Sequence, residues 1–414
     1  MVILMKTNTW QRVRFEEICR NVSTRINDPK NSGYDKYVGL EHLDTLESKI
    51  MRWGSTQDIE SSMTSFKSGQ ILFGRRNWYL RRVAVSDFDG ICSADIYVLE
   101  PIKGKIIPEF LPIFMHSEKF FQKNMMYSTG SMSTRVKWSN LAKLEFEIPS
   151  IEEQKSIVST ISKIDDLISK THLFLQKLSQ YHTSKMNSLL TKSLQKHPLK
   201  KVKWHFGKTI SIPKHWELIQ LNDVCKKITD GSHFSPKKVK EGLPLATVEN
   251  IKNSQIDISS CYTISQQDFE LLTKNGCKAE IGDVLFSKDG TIGLSFVFNQ
   301  NIDVVLLSSI AIIKTSEKLD PTFCSHILQS QYLYDNLYKF TTGTALKRVI
   351  LKNLKKILFP LPPIDEQKEI SQILTILLSQ KLHFENYLQK LQSLRLSVIN
   401  TKCSKKSEAL TIVQ

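Results

Sequence analysis

The feature that most constrains this chain is that it is written twice. "TGSMSTRVKWSNLAKLEFEIPSIEEQKSI" at 129–157 lies in register over "TGTALKRVILKNLKKILFPLPPIDEQKEI" at 342–370, an offset of 213 residues. The same offset carries "FLQKLSQYHTSKMN" (174–187) onto "YLQKLQSLRLSVIN" (387–400), and upstream it sets Gly69 of "SGQILFG" on Gly282 of "IGDVLFS". Nearer the start the offset falls to 206, where Trp10 and Cys19 answer Trp216 and Cys225. A chain of 414 residues has room for two or three domains. A repeat this long makes two of them copies of one fold, with one insertion of about seven residues between the halves.

Each copy reads as a globular part followed by a helical part. The globular parts mix short β-like runs ("VGLEHLD", "LATVENI", "DVLFS", "VVLLSSIAIIKT") with turn signals such as the Asp-Gly pairs at 230–231 and 289–290. Helices are expected from Pro108 and from Pro321, proline being at home in a first helical turn. The expected class is α+β.

The helical parts carry a narrow apolar stripe. Steps of four and three from Ile157 visit Ile161, Ile164, Ile168, Thr171, Leu175, Leu178, His182, Lys185 and Leu189, seven of the ten being apolar. From Ile370 the same walk visits Leu374, Leu377, Lys381, Phe384, Leu388, Leu391, Arg395 and Val398, seven of nine. One such stripe cannot bury itself, and two related ones with a globular domain between them predict an antiparallel coiled coil. The recurring "EQK" segments then start helices. Ser150 and Glu153 form a capping box, and the carboxylates at Glu152 and Glu153, or Asp365 and Glu366, suit the positive end of the helix dipole.

The expected layout is a first globular domain at 1–149, a spacer helix at 150–190, a linker at 191–213, a second globular domain at 214–363, a second spacer helix at 364–404 and a tail at 405–414. The linker, with two prolines and no helical stripe, is expected to be extended, its lysines either solvated or running beside phosphates.

Fifty-seven Lys and Arg against 41 Asp and Glu leave a formal charge of +16, which favours an acidic partner, either nucleic acid or an anionic membrane surface. No apolar run reaches the roughly 20 residues that cross a bilayer, and the opening "MVILMKTNTW" is too short for a signal peptide, so a cytoplasmic protein is expected. Seven cysteines, none within a CxxC pair, read as buried free thiols.

No catalytic centre is visible. "EQK" satisfies half of a metal-dependent nuclease motif, but such a site needs a preceding acid and a strand to aim it, and both copies head amphipathic helices. A nuclease therefore stands as the rival reading, and a coiled-coil adaptor that leaves the charge unused as a third. Neither GxGxxG nor an N/D-P-P-F/Y tetrapeptide occurs, and "GKT" at 207–209 lacks the leading glycine of a phosphate-binding loop. His42, His116 and His233 have no nearby ligand partners and read as surface or loop histidines. No cofactor and no metal site are expected.

"PSIEEQKSI", "PPIDEQKEI", "GDVLFSKDGTIG" (282–293), "KYVGLEHLD" (36–44), the long stretch from "HWELIQLNDVC" to Asn253 and the linker "KTISIPKHWE" (208–217), in this order and twice over, resemble the specificity subunits of type I restriction-modification systems. The resemblance covers nearly the whole chain, and the departure is "GQILFGRRNWYLRR", which replaces the GTIG-type loop in the first half. It implies two tandem target-recognition domains with pseudo-twofold symmetry, each reading one half of a bipartite, asymmetric DNA site. It also implies that the paired helices set the half-site distance and dock two methyltransferase subunits, to which restriction and translocase subunits add. The specificity subunit itself would be non-catalytic.

Loop residues able to contact phosphates or base edges are then the candidates for DNA binding. In the first domain these are Arg75, Arg76, Asn77, Arg81 and Arg82, with Trp78 and Tyr79 between the arginine pairs. In the second they are Ser232, His233, Lys237 and Lys288, with Asp289. Arg135 and Arg348, equivalent under the offset, join them with Lys347 as candidates for backbone contacts. For each of these the alternative is a solvated surface charge.

Overall fold

The computed structural model describes residues 10–125, 135–330, 333, 341–342 and 348–404. The chain divides into two compact units: unit 1 is Met1–Leu173 with Asn386–Gln414, and unit 2 is Phe174–Glu385.

Unit 1 is built on a four-stranded antiparallel sheet in the order Cys19–Asn21, Ile96–Pro101, Ile71–Gly74, Val83–Val85. The central strand "ILFG" is buried at every position, because the sheet separates two cores. Alternation along the strand sends Ile71 and Phe73 into the core shared with the long helices. Leu72 goes the other way, with Ala84 and Val98, into a smaller distal core. The distal side is closed by a five-stranded sheet in which Lys36–Val38 runs parallel to Gly90–Cys92.

Unit 2 repeats the plan. Its four-stranded sheet has the order Cys225–Asp230, Ile310–Thr315, Val284–Ser287, Ser295–Val297. Val284 and Phe286 face the core shared with the helices. Leu285 faces a distal core with Ile310 and Ile312. A parallel pair recurs as Leu243–Ala246 with Val305–Leu306. Gly69 and Gly282, matched by the repeat, both turn into the central strand with left-handed backbone (φ 86° and 93°), where a side chain would be strained.

Two further features are equivalent. Gln11–Arg14 pairs with Glu145–Ile148 in unit 1, and Glu217–Gln220 pairs with Leu358–Leu361 in unit 2. Each of these two-stranded sheets delivers the chain into a long helix, Ile151–Lys192 and Ile364–Lys402.

The two helices pair antiparallel. In unit 1, Asp165 near the start of the first meets Arg395 near the end of the second. In unit 2, Phe174 meets Phe384 with ring centroids 4.5 Å apart. Of the predicted seam, Ile157, Ile161, Ile164, Ile168, Leu178, Leu189, Ile370, Leu374 and Leu391 are buried, whereas Leu175, Leu377, Phe384 and Leu388 are half-buried.

Three expectations need correction. The helix expected from Pro108 is two pieces, Phe110–Met115 and Glu118–Met125. The break comes at Ser117, whose hydroxyl donates to Phe114 O and accepts from the Phe120 amide, capping the second piece. The helix from Pro321 is continuous and capped by Asp320. The segment 191–213, expected as an extended linker, continues the helix to Lys192 and then folds into a hairpin, Leu199–Lys203 with Thr209–Pro213. Its inner face carries Val202, Ile210 and buried Ile212 into the core, and Trp204 Nε1 donates to Leu358 O at 2.8 Å. The period-two pattern in "KKVKW" and "TISIP" signals this hairpin, but the flanking prolines obscure it. Third, His116 is a core residue, fully buried.

The seven cysteines are free thiols, five buried and two half-buried. Burial pushes the Cys225 thiol up to about 12 and that of Cys261 up to about 11.

Candidate nucleic-acid interface

In each unit the hairpin loop after the central strand lies against a segment C-terminal to the proline-led region, 135–136 in unit 1 and 348–349 in unit 2. In unit 1 this loop is 75–82. The Arg75 amide donates to Asp95 O at 2.9 Å, the Val136 amide donates to Arg75 O at 3.0 Å, and Arg76 forms a β-bridge with Arg135. Asp95 therefore stands among three arginines. Arg135 approaches it with Nε at 3.1 Å and Nη2 at 3.2 Å, while Arg75 and Arg76 each come within 3.7 Å. Arg75 also lies over the Tyr97 ring, 5.3 Å from its centroid. Three cations share one carboxylate, so the cluster keeps a net positive charge.

Unit 2 has the same backbone frame. The Lys288 amide donates to Ser309 O at 2.9 Å, the Val349 amide donates to Lys288 O at 2.9 Å, and Asp289 forms a β-bridge with Arg348. Arg348 is mostly exposed and forks onto Asp289 through Nε at 3.2 Å and Nη2 at 3.1 Å. The loop beyond is pinched at its base by buried Ser287, whose hydroxyl donates to Thr291 O and accepts from the Leu294 amide. This leaves Gly290, Thr291 and Leu294 exposed at the tip.

The remaining candidates separate by burial. Arg76, Arg135, His233, Lys237 and Arg348 are exposed, and Arg75, Asn77 and Arg82 are half-buried. Asn77 adopts left-handed backbone at φ 50°. Lys347 lies outside the described residues.

Three candidates have interior work instead. Arg81 stacks its guanidinium 4.2 Å from the Phe121 ring centroid and pairs with Glu118, an arrangement that its left-handed backbone directs inward. Lys288 is 3% exposed, with Asp230 at 3.4 Å and Asp289 at 3.9 Å. Ser232 is buried in a turn, its hydroxyl donating to Phe234 O and accepting from the Phe234 amide. Trp78, between the arginine pairs, packs its ring on Phe121 in the core, and only Tyr79 offers an exposed aromatic face. Desolvation accounts for Arg81, Lys288 and Ser232, whose polar atoms each take a partner within their own unit.

Sequence reasoning missed Asp95 and Asp230. Burial raises the Asp230 carboxyl, and Lys288 and His233 beside it offset part of that rise. The signal for Asp95 was present but indirect: aligning the copies sets Arg76 opposite Asp289, a reversal of charge that demands a second change nearby.

Among the described residues no group of three or more His, Cys, Asp or Glu could hold a metal ion, and no helix is long and apolar enough to cross a membrane.

Two copies of one α+β module, each with a charged loop cluster beside an equivalent arginine and each feeding one of two antiparallel helices, define a duplicated recognition subunit. The chain belongs to the type I restriction modification DNA specificity domain family, whose model matches residues 7–180 and 213–395. DNA sequence recognition is therefore its task.

Among relatives, the type I restriction enzyme MjaVIII specificity subunit of Methanocaldococcus jannaschii is 23% identical over 414 residues, covering 94% of this chain and 92% of that one. The putative MjaX specificity subunit of the same organism is 25% identical, covering 86% and 83%. The EcoBI specificity subunit of Escherichia coli is 24% identical, covering 75% and 69%. The fold is shared with a chain from a structure on complex assembly and conformational transition of a type I R-M system (TM-score 0.55, 20% identity, 96% of this chain and 98% of that one). It is also shared with a type I restriction-modification S subunit from M. genitalium (TM-score 0.54, 12% identity, 98% and 99%).

Proposed function

We propose that the chain is the non-catalytic recognition subunit of a type I restriction-modification complex, reading a bipartite and asymmetric DNA target with one module per half-site. The observation that carries this reading is the equivalence of Arg135 and Arg348: both are exposed at a β-bridge to the loop after the central strand, and the side chains around them differ between the modules. A shared frame with different side chains is what two half-sites of unlike sequence require. Arg76, Arg135 and Arg348 serve as phosphate contacts that fix register, and the varied groups that read base edges come from the loops, Asn77 and Tyr79 in the first module and Thr291 in the second.

The antiparallel helices, in the same reading, set the spacing between half-sites and dock two methyltransferase subunits, with restriction and translocase subunits joining them. Chemistry belongs to those partners, and the complex works in the cytoplasm. In this reading the recognition modules are 1–149 and 214–363, and the spacers are the long helices Ile151–Lys192 and Ile364–Lys402.

The test is replacement of 10–148 by the corresponding module of a relative, in the chain co-expressed with its methyltransferase subunits. Methylation-sensitive sequencing of the host genome supplies the target before and after. One component of the target should change while the other and the gap stay the same. A change in both components, or in neither, would remove the one-module, one-half-site assignment.

A further inference from the structure

The two modules hold the same arginine with acids taken from different loops, Asp95 from the turn before Ile96–Pro101 and Asp289 from the loop after Val284–Ser287. By backbone hydrogen bonds, Arg75 answers Lys288 and Asp95 answers Ser309, since the amides of Arg75 and Lys288 donate to Asp95 O and Ser309 O, both at 2.9 Å. By the bridges, Arg76 answers Asp289, opposite Arg135 and Arg348. The carboxylate that forks the arginine thus sits at 95 in the first module and at 289 in the second. The positions left without an acid carry Ser309 and Arg76.

We propose that Asp95 and Asp289 are positioning residues for DNA recognition, each holding an exposed guanidinium in one orientation so that it meets the duplex already ordered. This rests on the reading that Arg135 and Arg348 contact DNA.

The physical argument is one of opposing effects. A carboxylate beside a DNA-binding surface repels phosphates, so an acid kept there by two different routes must do something that outweighs the repulsion. Because the guanidinium side of each pair stays in solvent, the pair contributes modestly to folding. What it does supply is order, because a free arginine side chain samples many rotamers, and a planar two-point fork removes much of that freedom before binding. A mobile arginine still attracts any DNA. A held one favours the duplex whose phosphates lie in register.

The test uses the full chain co-expressed with methyltransferase subunits, with binding measured on the cognate duplex and on one with the second half-site scrambled. D289S removes a negative charge, so plain electrostatics makes it bind both duplexes more tightly. Positioning instead makes its affinity for the scrambled duplex hold or rise while cognate affinity falls, so that the ratio of the two drops about tenfold. Melting temperature should fall only slightly, because Asp230 still faces the buried Lys288 at 3.4 Å. D289S/S309D, which has the charge of the original and the acid where the first module has it, should restore the ratio.

An unchanged ratio in D289S, or a relocated acid that restores nothing, overturns the proposal. R348A separates this failure from that of the underlying reading. If R348A weakens binding and lowers the salt slope while D289S leaves the ratio alone, Arg348 touches DNA and only positioning is wrong. If R348A changes nothing, the contact itself is wrong, and the proposal falls with it.

Discussion

His116 shows how far one side chain can depart from the role its neighbours in sequence suggest. It is fully buried, with Nε2 2.9 Å from Val83 O and Nδ1 3.3 Å from Arg395 Nη1. A carbonyl can only accept and a guanidinium can only donate, so the ring is neutral with its proton on Nε2. Burial first, and the charges of Arg395 and Arg81 after it, push the imidazole down to about 3, against the weaker upward pull of Val83 O. Arg395 is itself buried and turned onto Asp165. Below its ordinary pKa near 6.5 the unfolded chain takes up a proton that the folded chain refuses, so stability falls as pH drops from about 6.5 toward 3, by about 1.4 kcal/mol per pH unit at most. His326 in unit 2, lowered to about 4 chiefly by burial, adds to the same trend. The urea midpoint of H116Q should therefore fall less steeply than that of the original chain between pH 6 and 4, and should differ from it by a constant above pH 7. Parallel curves throughout would mean that His116 titrates normally.

At the scale of elements, the repeated "EQK" does its work through the glutamine. Gln154 accepts from the Ile107 amide at 2.9 Å and donates to Pro149 O at 2.9 Å. Gln367 accepts from the Asp320 amide at 2.9 Å and donates to Pro362 O at 2.8 Å and to Lys318 O at 2.9 Å. Both are buried, and the bonds to Ile107 and Pro149 correspond under the offset to those to Asp320 and Pro362. One amide thus ties the incoming strand, the first turn of the long helix and the start of the proline-led region together. The flanking acids have diverged. Ser150 caps the Glu153 amide at 3.3 Å, whereas its equivalent is Pro363, and Glu366 instead accepts from Trp216 Nε1 at 2.9 Å and lies 3.1 Å from His215 Nε2. Q154A and Q367A should each lower stability by about 2–3 kcal/mol, because each strands a buried amide and a buried carbonyl. Q154E and Q367E should do no better, since they restore the acceptor and lose the donor. Chemical denaturation of the four variants checks this, and a loss under 0.5 kcal/mol in either alanine variant would show that water replaces the amide.

At the scale of the whole molecule, the proposed ruler can be lengthened. Inserting one heptad into each helix, between 164 and 178 and between 377 and 391, preserves the stripe. Seven residues at about 1.5 Å each add roughly 10 Å, close to the rise of three base pairs. The duplex would also turn by roughly 100°, so part of the mismatch is taken up as DNA twist. Sites selected from DNA with randomised spacers should keep both half-sites and show a longer gap. An unchanged gap would mean that the helices join the modules without spacing them. Four residues inserted in one helix alone should abolish binding, because the stripe rotates away from its partner.

What the sequence determined by itself was whatever repeats or has a period. Duplication set two modules of one fold, the four-and-three stripe set two helices that need each other, and motif order set the family. These are local or internal comparisons, legible without knowing which residues meet. The equivalence of Arg135 and Arg348 was legible for the same reason. What only the tertiary structure decided were pairings across long separations: Asp95 with Arg135, Arg395 with Asp165 and His116, Gln154 with Ile107, Trp204 with Leu358. An arginine on a loop reads the same whether solvent or a core lies beneath it, so Arg81 and Lys288 passed for surface charges until burial assigned them partners. Desolvation makes that assignment, because a charge that leaves water must find its counterpart wherever the fold has placed one.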